Sequence, residues 1–230
     1  MITLYGPAQA PFTEKVRRAL LYKGYEFELR EPQSPEDYRR WSPKTGMLPV
    51  LDLDGEHVPD STEILYRIDR DRPDPPLLSS DPTVATQQRQ LEDWADESFL
   101  FYYMKYQRTV AHQAQVVAAA AAAAAAAERG TARSRSGPLR RLRAWLRAGG
   151  TWERPETAIV RELGLRLDDL TKFLGARVFF YSDRLSMADL GVYAMLSTMR
   201  LDAIPGSAQL VAQRPALIGL MRRVEEVTGG

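Results

Sequence analysis

At 230 residues, 44% hydrophobic and 27% charged, the chain has material for one large or two small globular units with a real core. Its formal net charge of +1, from 31 basic and 30 acidic residues, lacks the basic excess of a nucleic-acid-binding protein. It has no cysteine, so disulfides, thiolate catalysis and thiolate metal sites are excluded; His57 and His112 are too few for most histidine-built metal centres and are read as surface or loop residues. No metal is expected. Neither a signal-peptide pattern nor an 18-residue apolar run occurs, so a cytoplasmic protein without a membrane span is expected.

Ile2–Tyr5 is short and apolar, as a buried strand is. Pro11 opens a helix at its favoured first position and Gly24 closes it, with Val16, Ala19, Leu20 and Lys23 on one face and Arg17 and Arg18 outward. Tyr25–Arg30 alternates with period two and reads as a half-buried strand; Ser34–Trp41 reads as a short helix. Leu48–Leu53 and Glu56–Val58 flank Asp54-Gly55, a strong hairpin signal. Asp60 then starts a helix through about Asp71, with Glu63 completing an Asp-x-x-Glu capping pattern. A helix between the first two strands makes them parallel, and the tight turn makes the last two antiparallel. That mixed sheet is the thioredoxin-like arrangement.

Four prolines between Arg72 and Pro82 mark a linker. Beyond it the segments Val84–Arg108, Val110–Arg129, Pro138–Ala148, Pro155–Leu174, Ser186–Leu201 and Pro215–Val227 all favour helix. The expected fold class is therefore α/β plus all-α, a thioredoxin-like domain over 1–78 followed by a helical bundle over 79–230. The second domain carries an alanine- and arginine-rich insertion near 110–152. Ala118–Ala127 is a run of ten alanines, and Arg129 to Trp152 contains seven arginines and no acidic residue. Leu139, Leu142, Trp145 and Leu146 can form an apolar stripe there. Two readings of this insertion stand: an anion- or membrane-surface helix, and a solvated segment.

Three motifs carry a family resemblance. Ala10-Pro11-Phe12-Thr13-Glu14-Lys15-Val16-Arg17-Arg18-Ala19-Leu20 with Lys23-Gly24 resembles the first helix of tau- and omega-type glutathione S-transferases. Gly46-Met47-Leu48-Pro49-Val50-Leu51 and Pro59-Asp60-Ser61-Thr62-Glu63-Ile64 resemble that family's glutathione-binding core. Leu185-Ser186-Met187-Ala188-Asp189-Leu190 resembles the capping box and staple of a central helix. The resemblance implies a protein that binds glutathione as co-substrate, conjugates it to small hydrophobic electrophiles, and forms a homodimer. A glutathione S-transferase-fold module without catalysis is the alternative.

By the same resemblance Pro49 is a cis proline, and Leu48 pairs its backbone with the cysteinyl part of glutathione. Ser61, at a helix N-terminus, holds the γ-glutamyl carboxylate. Asp60 pairs with the neighbouring ammonium, or caps the helix, or does both. Relatives place a thiol-directed serine or cysteine where this chain has Ala10, which can neither donate to a thiolate nor form a mixed disulfide. Tyr5 is the candidate catalytic hydroxyl, with Gln9 and Thr13 behind it; a packing role for Tyr5 is the other reading. Phe99, Tyr102, Tyr103 and Tyr106 wall the electrophile pocket or pack in the core. Arg39, Arg40 and Lys44 are candidates, by charge, for the glycyl carboxylate.

Overall fold

A computed structural model describes residues 1–130 and 155–229. The helix expected at Pro138–Ala148, its apolar stripe and most of the arginine-rich segment lie outside the described residues. Strands β1 (Ile2–Tyr5), β2 (Glu28–Arg30), β3 (Val50–Leu53) and β4 (Glu56–Pro59) form a sheet in the order β2-β1-β3-β4. β1 and β2 are parallel because helix α1 (Pro11–Tyr22) carries the chain back between them. β3 runs antiparallel to both β1 and β4. At the β3–β4 turn Asp54 and Gly55 have φ of 54° and 99°, the left-handed pair a two-residue hairpin needs. Leu4 faces Leu51 across the sheet, and both are fully buried with Val16, Leu20, Ile64 and Ile68. Tyr5 and Val50 sit one register step further and turn to the opposite face.

Two expectations need correction here. The second strand spans three residues, not six: Gly24, at φ 66°, lets Tyr25 N–H donate back to Leu20 O at 2.9 Å, so this stretch belongs to the end of α1. Arg18 points inward. It donates to Thr228 Oγ1 at 2.9 Å and lies 5.2 Å over the Tyr193 ring, because the helical domain covers the side of α1 away from the sheet.

Helices α2 (Pro35–Trp41) and α3 (Ser61–Asp71) complete the first domain, and the second contains α4 (Pro82–Gly130), α5 (Pro155–Leu174), α6 (Met187–Arg200), α7 (Ser207–Ala212) and α8 (Pro215–Val227). α4 is one helix of 49 residues where two were expected, and α7 was not expected. α6 is buried on nearly all sides and packs against α1, α4, α7 and α8, so it is the centre of the bundle. The link between domains is anchored at both ends. Lys23 Nζ is paired with Asp69 and donates to Arg72 O and Pro75 O, while Met187 N donates to Leu77 O at 2.9 Å.

α6 starts on the expected capping box. Asp189 accepts from Ser186 N at 2.9 Å, Ser186 Oγ at 2.7 Å and Phe180 N at 2.7 Å, and the staple residues Leu185 and Leu190 are both buried. Burial pushes the Asp189 carboxyl up to about 7 against the pull of these donors. Asp189→Ala strands two buried N–H groups and a hydroxyl. It should cost about 2–4 kcal/mol in urea unfolding; a loss under 1 kcal/mol would mean the box does not anchor the bundle.

Candidate functional site

A cleft of about 340 Å³ lies where the sheet domain meets α4. Leu48, Pro49, Asp60 and Ser61, all singled out from sequence, line it together, joined by Phe12 of α1 and by Asp96, Glu97 and Leu100 of α4. The Leu48–Pro49 bond is cis. Leu48 precedes β3, and neither its N–H nor its C=O has a hydrogen-bond partner among the described residues. It therefore offers one donor and one acceptor to a peptide-like ligand, as a strand edge does.

Ser61 is the first residue of α3 and is buried. Asp60 precedes it at φ 70°, and its Oδ1 accepts from Thr62 N at 2.9 Å and Glu63 N at 3.1 Å. Asp60 is thus the cap of α3. Asp60 and the Ile64 N–H bond to its carbonyl use the other first-turn donors, so the Ser61 N–H, without a partner among the described residues, and the Ser61 hydroxyl, with the helix dipole behind them, suit a carboxylate.

A cluster that sequence reading missed braces this corner. Lys15 Nζ, fully buried, donates to Glu92 Oε1 and Asp96 Oδ2 at 2.5 Å each, and Thr62 Oγ1 donates to Glu92 Oε1 at 2.8 Å. One cation, two carboxylates and a hydroxyl therefore join α1, α3 and α4. Burial pushes the Glu92 and Asp96 carboxyls up despite the nearby Lys15 charge. Burial also opposes the Lys15 ammonium, but the charges of Asp96 and Glu92 outweigh it and raise its pKa. Glu92 Oε2 is buried without a partner among the described residues. The signal was present: Lys15 sits beside Val16 on the apolar face of α1, and Glu92 and Asp96 are spaced i, i+4 beside Leu91 and Ala95.

Tyr5 is not among the residues lining the cleft. The residue is 8% exposed, and its ring is stacked on Trp41 at 4.6 Å, with His57 at 6.0 Å. The first turn of α1 does border the cleft through Phe12, and Ala10 at its N-cap makes no side-chain cap. The Phe12 and Thr13 N–H groups are consequently without a capping side chain. Thr13 itself is buried against Gly6, where an added Cβ would lie 2.4 Å from Thr13 Oγ1. Gln9 is exposed.

The aromatic residues of α4 go to the core: Phe99 and Tyr102 are buried, and Tyr103 and Tyr106 pack partly against the same cluster. Leu100 occupies the cleft side instead. None of Arg39, Arg40 and Lys44 lines the cleft; Arg39 faces a separate groove beside Tyr38 and Gly46.

Two family profiles match the chain: the N-terminal domain of glutathione S-transferases over residues 4–76 and the C-terminal domain over 153–229, together well over half of it. A glutathione S-transferase from Methylobacterium radiotolerans, solved in complex with glutathione sulfonate, is 25% identical, with 97% of this chain and 90% of that chain covered and a TM-score of 0.63. A glutathione S-transferase from Rhodospirillum rubrum F11 is 19% identical over 100% of this chain and 89% of that one, with a TM-score of 0.65. A β-etherase from Sphingobium sp. strain SYK-6 is 19% identical over 97% and 94%, with a TM-score of 0.64. The latter two bear on the fold alone. No curated protein sequence matches the chain.

Lys15→Met leaves two buried carboxylates without their cation, which should lower stability by about 3–5 kcal/mol near neutral pH. A carboxyl whose folded pKa is raised adds stability when protonated, below its unfolded value of about 4, and loses it as pH rises through the raised value. The deficit of Lys15→Met should therefore be smaller at pH 5 than at pH 7.5 in urea unfolding. An equal deficit at both would mean that Glu92 and Asp96 do not feel the loss as charge.

Proposed function

The chain belongs to the glutathione S-transferase family, and we propose that it binds glutathione in the cleft beneath α4 and transfers it to small hydrophobic electrophiles. The observation that carries this reading is the unpaired backbone of Leu48 beside cis-Pro49, in the same cleft as Ser61 at the start of α3. Glutathione has a peptide backbone with a zwitterionic γ-glutamyl end. Leu48 pairs with its cysteinyl unit, and the hydroxyl and N–H of Ser61, at the positive end of α3, take the γ-glutamyl carboxylate. Asp60 and Asp96, both in the cleft wall, face the adjacent ammonium. Lys15 and the capping bonds hold those two carboxylates in position. Phe12, Met47 and Leu100 provide an apolar surface for the electrophile. Homodimerisation and a cytoplasmic setting belong to the same reading.

A free thiol of pKa about 8.5 is only a few per cent ionised at pH 7. The thiol loses its proton to solvent, the thiolate sulfur attacks the electrophilic carbon, and the leaving group departs with its electron pair. We assign the lowering of the thiol pKa to the uncapped first turn of α1, which borders the cleft, rather than to the Tyr5 hydroxyl. The second reading, a binding module without catalysis, draws on Ala10, which supplies no hydroxyl.

Glutathione at 100 times its dissociation constant should stabilise the protein by about 2.7 kcal/mol, seen as a higher melting temperature. Ser61→Ala should weaken binding by about 1–3 kcal/mol. Affinity within twofold of wild type in both Ser61→Ala and Asp60→Ala would refute the site.

Conjugation of a chloronitrobenzene separates the catalytic readings. Tyr5→Phe should leave kcat/KM nearly unchanged, and Ala10→Ser should raise it by restoring a donor at the α1 N-cap. A loss of about tenfold or more in Tyr5→Phe, with glutathione affinity spared, would return thiol activation to Tyr5. Glutathione binding with no conjugation in either wild type or Ala10→Ser would favour the non-catalytic module.

A further inference from the structure

α4 leaves an apolar stripe uncovered next to the cleft. Leu100, Phe101 and Met104 are 43%, 59% and 42% exposed, at the helical spacing that puts them on one side. They line a groove of about 770 Å³ that continues from the cleft, since Glu97 and Leu100 line both. An apolar strip of this kind with polar ends marks a ligand or partner surface.

Its charges are divided along its length. At the near end lie Glu97 and, in the adjoining cleft, Asp60 and Asp96. At the far end lie Lys105, Arg108 and His112. Lys105 is committed, bonded to Glu162 at 2.9 Å and lying 5.6 Å over the Phe101 ring. Arg108 is exposed and has no partner among the described residues. Eight residues of α-helix separate Leu100 from Arg108, about 12 Å along the axis.

We propose that the electrophile taken by this protein is an elongated apolar molecule ending in an anionic group, a carboxylate or sulfonate, and that Arg108 selects that group. The proposal rests on the reading of the cleft as a glutathione site. The acidic near end repels the anion and the basic far end attracts it, so the reactive end of the molecule points toward the cleft. The apolar body covers Leu100, Phe101 and Met104. A neutral molecule of the same shape gains the apolar contact but not the second.

The test uses two dyes with one aromatic skeleton: anilinonaphthalene sulfonate and its uncharged parent, phenylnaphthylamine, followed by fluorescence on the full chain. Phe101→Ser should weaken both dyes. Arg108→Glu should weaken the sulfonate by about tenfold or more while the neutral dye stays within twofold, the size expected when a charged partner is lost. Calorimetric titration of glutathione should give the same affinity in wild type and Arg108→Glu. Equal effects of Arg108→Glu on both dyes, or neither dye responding to Phe101→Ser, would overturn the proposal. So would dye binding that falls as protein concentration rises while Phe101→Ser converts a dimer to monomer, since the stripe would then be covered by a second copy of this chain. Failure of wild type to bind glutathione, with the dye pattern intact, would instead count against the proposed function.

Discussion

The ion cluster of Lys15, Glu92 and Asp96 is the constraint on which the arrangement of this molecule depends. It lies where α1, α3 and α4 converge, and Lys15 and Glu92 have no contact with solvent. A buried ion pair is weak evidence for net stability, but breaking one is expensive, so it defines geometry more than it adds energy. Glu92 is fixed further from behind. Gly191 of α6 brings its backbone so close that an added Cβ would lie 3.2 Å from Glu92 Cγ. The central helix of the bundle, the first helix of the sheet domain and the wall of the cleft are thereby tied to one carboxylate.

That same cluster determines the character of the cleft. Asp96 reaches from the buried lysine to the cleft wall, so the group that joins the domains also lines the cleft. Asp60 has a comparable double part, its Oδ1 capping α3 while the residue lines the cleft. Acidic groups, a helix start and an unpaired strand edge then lie together within a few residues. The combination suits a small zwitterionic peptide better than an apolar ligand or a phosphate.

Features encoded within a few residues could be read from sequence. Asp54-Gly55 announced its hairpin because few residues tolerate two successive left-handed conformations. Ser186 and Asp189 announced the start of α6, and Asp60 that of α3, by capping chemistry. The proline-rich link announced itself as non-helical, although its anchoring by Lys23 and Met187 involves partners distant in the chain. Long-range burial was not legible. The apolar pattern of α1 gave one inward face, yet Arg18 is buried by a helix nearly 200 residues later. The aromatic spacing of α4 left a pocket wall and core packing both open, and it is the core that Phe99 and Tyr102 fill while Leu100 lines the cleft. Helical periodicity tells which residues share a side, not what that side meets.

The central claim is that glutathione lies along Leu48 and against the start of α3. Amide hydrogen exchange, followed residue by residue with and without glutathione, addresses it directly. Slowed exchange is expected at the Leu48 and Ser61 amides, with α7 and α8 unchanged. Glutathione that raises the melting temperature while leaving those two amides at their free rates would contradict it.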